Sequence, residues 1–302
     1  MTRARWAEDV VDPETREKLA ASLSGTALQS LLLDVMHRRA EARAPRDVLA
    51  QYLRDGFVVP SPVDLREMAV VDAHFLDAAS AFDAIELSPV TPLGTCSTVA
   101  ATHQHRVLSA LRAAEVVSDP TNVLALECAR RLRGADVAHL ATSQRVLRAQ
   151  PVPKVPGFSQ HFRIFVLASG GVETRDHGFT RGAIALHLRA MIAALDRLER
   201  VGYAFGRRTI TLFSTPERAR VADRVAEEFG AERAALDHAY YSGGIRFRIG
   251  VTARDGSETP LVDGGTFDWL TKLTSNRRAA FVATGAGAQL VPLRFRRDAR
   301  ET

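Results

Sequence analysis

Apolar residues in the first sixty positions recur at helical spacing. Leu28, Leu31, Leu32 and Val35 share one helical face, and Val48, Leu49, Tyr52 and Leu53 resume the pattern after Pro45 breaks it. Pro13-Glu14-Thr15 starts the first helix with proline in its first turn, Ser24-Gly25 stops it, and Gly56 closes the series. Pro60-Ser61-Pro62 then removes backbone donors and fixes an extended turn. The pattern predicts a helical segment over residues 1–62 and a separate core over residues 63–302.

Beyond that turn the period changes. Phe162 to Leu167, Thr209 to Phe213 and Ile245 to Val251 are rich in β-branched and aromatic residues and read as strands. Ala183 to Leu198 reads as a helix, and Pro216 to Phe229 as an amphipathic one with Thr215 as its N-cap. Several strands adjoin turns and not crossover helices. This predicts an α+β fold, a mainly antiparallel sheet flanked by helices.

Composition narrows the class. The apolar share, 46%, is enough for a normal core. No apolar run approaches a bilayer span, and Met1 to Trp6 leads into acidic residues and not into a signal region. Two cysteines without metal-type spacing suit a reducing compartment, so a cytoplasmic protein is expected. Cys128 reads as a core residue, whereas Cys96 sits in a loop that leaves exposure and a catalytic thiol open, with no pairing base evident in sequence. His103 and His105 are two apart with no third ligand nearby, so no metal site is expected. The net charge is +5, with a late cluster at Arg294, Arg296, Arg297 and Arg300. That cluster is either a solvated tail or a surface for phosphate or acidic partners.

The most informative stretch is Tyr240-Tyr241-Ser242-Gly243, followed by Ile245 to Ile249 and then Gly264-Gly265-Thr266-Phe267-Asp268. Tyrosine combines a flat apolar ring with a polar tip, which suits a pocket around a small polar ligand. Paired glycines let backbone approach a ligand closely. An ordinary hairpin with two half-buried tyrosines is the competing reading. Asp237, just upstream, either holds an amine or closes a turn.

Taken in order, these runs resemble the histidyl-tRNA synthetase family. That family has a Tyr-Tyr-Thr-Gly run, a strand, and a Gly-Gly-Arg-Tyr-Asp run. Phe82 to Pro89 is similar to its motif 1 strand, and Val116 to Thr121 stands where it has Arg-Pro-Glu-Gly-Thr. Leu147-Arg148-Ala149-Gln150 with Pro156 to Phe162 is similar to motif 2. The resemblance covers roughly residues 68–295. It implies a class II synthetase core, a homodimer built through motif 1, and ATP with Mg²⁺ as cofactor. It also implies a substrate pocket formed by Tyr240, Tyr241, Gln160, His161 and Thr121, with Arg148 and Gln289 on the phosphate side.

The departures are as specific. Thr121 stands for the family's amine-binding Glu, Gln150 for the motif 2 Glu, and Thr266 for the Gly-Gly-Arg arginine. The motif 3 run reads Gly285-Ala286-Gly287-Ala288-Gln289 without an arginine, and an amide cannot replace a guanidinium fork. Arg277 and Arg278 are candidate replacements, and Glu127 is a candidate for the missing Glu or else a solvated helix residue. The chain ends at Thr302, soon after motif 3, so no anticodon-binding domain and no tRNA charging are expected. The resulting expectation is a stand-alone paralogue that binds a small amino-acid-like or heteroaromatic substrate. The alternatives are a regulatory subunit like that of ATP phosphoribosyltransferase and a nucleic-acid-binding or scaffold protein.

Overall fold

The computed structural model describes residues 10–152, 158–253 and 255–296. The chain opens with α1 (Pro13–Glu17), a π-helical turn (Lys18–Ser22), α2 (Gly25–Glu41) and α3 (Pro45–Tyr52). Asp12 caps α1 by accepting from the Thr15 N–H at 2.8 Å. Ser24 does not merely stop a helix. Its hydroxyl accepts from the Ala27 N–H at 3.2 Å and so starts α2. None of these elements buries a residue, and Leu53 is 71% exposed.

The core begins with α4 (Leu65–Ala78), which sends Met68, Val71 and Phe75 inward. The remaining helices are α5 (Pro120–Arg131), α6 (Gly178–Arg200), α7 (Ala219–Phe229), α8 (Trp269–Thr274) and α9 (Leu290–Arg294). The strands are β1 (Asp83–Ala84), β2 (Val90–Pro92), β3 (Ser109–Ala110), β4 (Ala114–Val116), β5 (Val137–Leu147), β6 (His161–Val172), β7 (Arg208–Ser214), β8 (Glu232–Ala235), β9 (Ile245–Thr252), β10 (Glu258–Phe267) and β11 (Ala279–Ala286). Eight of them form one sheet in the order β1-β5-β6-β11-β10-β9-β7-β8, and β2-β4-β3 form a small second sheet. Only the outermost pairs, β1 with β5 and β7 with β8, are parallel. The antiparallel reading therefore holds for the interior of the sheet.

Two expected elements differ. The motif 1-like run from Phe82 contributes only two strand residues, since Ile85 still donates to the Ala141 carbonyl but the chain leaves the sheet after it. The amphipathic helix starts at Ala219, because Pro216–Arg218 form a 3-10 turn and Thr215 makes no cap hydrogen bond. The Thr215 N–H instead donates to the Gly244 carbonyl at 3.0 Å.

The faces of the sheet are not equivalent. Alternation along β9 turns Ile245, Phe247, Ile249 and Val251 to one side, where they pack with α4, α6 and α7. On that side Ser169 bridges His139 and His187, and His187 reaches Thr284 at 2.7 Å, so these four side chains satisfy one another. The other face is covered over β5, β6 and β11 by α5 and α8, through Leu124, Cys128, Trp269 and Leu270. A hollow remains where that cover ends.

Candidate functional site

The floor of the hollow is made of small residues. Gly285 and Ala283 of β11 pair with Asp263 and Gly265 of β10 and line the cavity. Gly265 carries the closest approach. A Cβ there would lie 2.4 Å from both the Ile245 carbonyl oxygen and Tyr241 Cδ1, so only glycine lets Tyr241 lie against the sheet. The cavity measures about 360 Å³, at the small end for ligand sites.

Both tyrosines line it. They lie in a turn before β9 and not in a strand, so strand alternation does not force one of them outward. Each phenol donates to a different carboxylate. Tyr241 Oη donates to Asp263 Oδ1 at 2.6 Å, and Arg246 forks onto the same carboxylate at 2.9 and 2.6 Å. Tyr240 Oη donates to Asp119 Oδ2 at 2.9 Å. Asp119 is the N-cap of α5, where its Oδ1 accepts from the Thr121 N–H at 3.0 Å and the Thr121 hydroxyl at 2.7 Å. The nitrogen that Arg148 turns toward Asp119 stands 4.0 Å away, beyond hydrogen-bond distance. Burial, reinforced by Asp119, pushes the Tyr240 pKa well above its ordinary value, and burial with Asp263 does the same for Tyr241.

Cations stand across the cavity. Arg148 Nε donates to the Ser118 carbonyl at 2.9 Å, and its guanidinium lies 5.1 Å from the Phe162 ring centre. Arg106 is its neighbour, because the Ala149 N–H donates to the Arg106 carbonyl at 2.9 Å. Arg106 lines the cavity, is exposed, and makes no side-chain hydrogen bond or ion pair among the described residues. Glu115 holds its loop in place. This buried carboxylate accepts from the Gly94 and Cys96 N–H groups at 2.9 and 2.8 Å and from Gln104 Nε2 at 2.8 Å. The same loop brings Cys96 in, 3% exposed, so of the two settings the loop left open the buried one is found. Burial pushes its pKa up, which disfavours the thiolate a nucleophile would need.

The structure separates the remaining sequence candidates. Thr121, Tyr240, Tyr241 and Arg148 share the cavity, but Gln160, His161, Asp237 and Gln289 do not line it. His161 Nε2 pairs with the Val59 carbonyl at 2.7 Å and its Nδ1 with Arg145 at 3.0 Å, beneath the chain leading out of α3. Gln160 faces the same way, with its Oε1 2.5 Å from where a Cβ on Gly56 would stand. Asp237 is exposed beside the turn, while its neighbour His238 lines the cavity. Glu127 is taken by Arg130 and Arg131 on the outer face of α5 and replaces nothing in the site. Its pKa is held down to about 2 by those guanidiniums.

A second cavity of about 300 Å³ lies beyond Arg148, between Phe162, Gly287 and Gln289. Gln289 is 2% exposed, and its amide is spent on Ser61, Arg163 and Ser159. Arg277 and Arg278 precede β11, whereas the cavity is reached near its far end, so a separation of roughly 20 Å rules them out as replacements. Of the basic tail, Arg294 pairs with Asp255 and Arg296 with Glu67, while Arg297 and Arg300 lie outside the described residues. Pro156 and Gly157 of the motif 2-like loop also lie outside them. No group of three metal-ligating side chains occurs among the described residues, and no helix there is long and apolar enough to cross a membrane.

Sequence comparison is silent, since no family model and no curated protein matches the chain. Solved structures do match. The ATP phosphoribosyltransferase regulatory subunit/histidyl-tRNA synthetase from Bacillus halodurans aligns at TM-score 0.56 and 15% identity, over 78% of this chain and 80% of that one. The fold is class II synthetase-like. Apo histidyl-tRNA synthetase from S. aureus aligns at TM-score 0.58 and 11% identity, over 78% of this chain and 67% of that one. Histidyl-tRNA synthetase from Nostoc gives TM-score 0.54 and 14% identity, over 78% and 74%. At these identities the likeness is one of fold, and the function rests on the site itself.

Asp119 and Arg106 are what sequence reasoning missed. Asp119 stands in the quoted Val116–Thr121 run, but placing the family's Glu immediately after proline put Thr121 in its place. The structure supplies a carboxylate two residues earlier. Arg106 directly follows the His103-x-His105 pair, which drew attention only as a metal candidate.

Proposed function

We propose that this chain is a synthetase-like protein that binds a small amino-acid-like ligand in the cavity above β10 and β11 and does not charge tRNA. One observation carries the reading. Asp119, which accepts no hydrogen bond from a guanidinium among the described residues, shares a small cavity with Arg148, whose terminal nitrogen stands 4.0 Å from it without a hydrogen bond, so that an ammonium and a carboxylate can enter between them. Ammonium and carboxylate of an α-amino acid complement that pair, and Tyr240 and Thr121 orient the carboxylate that takes the amine.

The synthetase fold implies ATP with Mg²⁺. No carboxylate lines the second cavity among the described residues, and Gln289 is bonded within the protein. Mg²⁺ and a transferring phosphate need anionic oxygen ligands and fixed cations. Arg148 and Arg163 line that cavity, but no described residue there offers Mg²⁺ an anionic oxygen, so the residues do not fit a nucleotide held with its metal in the synthetase manner and the proposed binding runs without ATP. That same observation favours a second reading, a ligand-sensing subunit, in which binding is not followed by activation. Homodimerisation and a separable helical segment over residues 1–62 belong to the proposal as well. Light scattering at micromolar concentration and limited proteolysis near Pro60 check them.

A thermal-shift screen of the standard amino acids tests the main reading. At least one should raise the melting temperature of the wild type and fail to do so with Asp119→Asn. A flat response to all of them at millimolar concentration sinks it. Amino-acid-dependent pyrophosphate exchange should be absent, and its presence would overturn the ATP-free reading.

A further inference from the structure

The charges that line the cavity do not cancel. Asp263 is spent, since Arg246 forks onto it and Tyr241 donates to it. That removes one carboxylate and one guanidinium from the count. What remains among the described lining residues is one carboxylate, Asp119, and two guanidiniums, Arg148 and Arg106. Among the described residues the terminal nitrogens of Arg148 make no hydrogen bond, the nearest carboxylate oxygen being that of Asp119 at 4.0 Å, and Arg106 makes no side-chain hydrogen bond or ion pair.

The two arginines line the same cavity from adjacent stretches of backbone. The Ala149 N–H to Arg106 carbonyl bond sets the Arg106 backbone beside the strand extension that carries Arg148. Glu115 fixes the loop from the other end through three hydrogen bonds, so Arg106 is presented by a braced turn. A neutral amino acid would satisfy Asp119 and one arginine and leave the second cation facing its side chain. A ligand that offers an anion to each cation is favoured electrostatically over one that offers a single anion.

We infer that the cavity selects an amine bearing two anionic groups, of net charge −1 or lower, with Arg106 as the specificity-determining residue. The inference rests on the amino-acid reading above and narrows its substrate class. The α-ammonium meets Asp119, the first anion meets Arg148, and the second meets Arg106. Acidic α-amino acids and O-phosphorylated ones share this chemistry. The imidazole expected from the histidine-family likeness does not supply the second anion.

Calorimetry tests this with L-glutamate, L-aspartate, O-phospho-L-serine, L-glutamine and L-histidine as probes. At least one anionic probe should bind about tenfold or more tighter than glutamine and histidine, the worth of one charge-assisted contact. The anionic probes among themselves report whether carboxylate or phosphate fits better. Arg106→Gln, at an exposed position that folding does not depend on, should lose most of that preference. Glutamine or histidine binding as tightly as every anionic probe overturns the inference and leaves the amino-acid reading standing. An anionic preference that survives Arg106→Gln also overturns it. Failure of all probes, neutral and anionic, defeats both.

Discussion

Two tyrosine–carboxylate pairs sit side by side in one cavity, built from the same chemistry and put to different uses. Tyr241 and Asp263 are locked by a forked arginine, and their polar groups point at one another. Among the described residues only hydroxyl and backbone donors hydrogen-bond Asp119, with Arg148 Nε on the Ser118 carbonyl and its nearest terminal nitrogen 4.0 Å from the carboxylate. The first pair closes its charge within the protein. The second leaves its carboxylate without a hydrogen-bonded guanidinium among the described residues, which is what the proposed amine site requires. A tyrosine or an aspartate in a pocket is therefore not informative until its charge partners are counted.

The largest expected effect breaks the comparison at Asp119. Asp119→Asn should weaken an amino-acid-like ligand by about 2–4 kcal/mol, as for a partner removed from a desolvated charge pair. Its cost in urea unfolding should stay near that of losing the Tyr240 bond alone, about 1.5 kcal/mol, because the asparagine oxygen still caps the helix. Asp263→Asn should spare binding and cost about 2 kcal/mol of stability by leaving Arg246 half-satisfied. If both substitutions act alike on binding, the two pairs are not distinct.

The tyrosines sharpen it further. Tyr240→Phe removes one of the three donors that Asp119 has and should cost about 1.5 kcal/mol in urea unfolding. Tyr241→Phe leaves the Arg246 fork on Asp263 and should cost about 0.5–1 kcal/mol. The reverse order would mean that the fork contributes less than the geometry indicates.

The smallest effect is read by pH. The pKa values of Tyr240 and Tyr241 are both raised in the folded protein. A raised folded value adds stability that is full below the unfolded value, about 10, and is lost as pH rises through the folded one. The wild type should lose stability above about pH 10, and the double Phe variant should lose less over the same window. Absorbance at 295 nm during alkaline titration should show these phenols ionising only as the protein unfolds.

Periodicity made much of the fold legible. β6, β7 and β9 lie where β-branched and aromatic runs predicted strands, and α6 contains the predicted helix. The parallel edge pairs were not legible, because pairing direction at the sheet margins depends on distant chain. In the site, the tyrosine turn and Arg148 stood out through residue type. Asp119 did not, because an Asp-Pro step reads first as turn chemistry, and only the folded chain brings it to Tyr240, 121 positions away. Arg246 read as the polar half of an alternating strand, and the pairing that neutralises Asp263 is set by register across β9 and β10. His161 and Gln160 were close to Arg148 in sequence, yet the strand return turns them toward Val59 and Gly56.

The central claim is that Asp119 is held ready for an amine. Calorimetry of L-glutamate and of glutarate, the same dicarboxylate without its amine, on the wild type and on Asp119→Asn isolates that contact as a cycle. The account predicts that losing the amine costs the wild type about tenfold or more in affinity and costs Asp119→Asn almost nothing. An equal penalty in both proteins would place the amine elsewhere and contradict it.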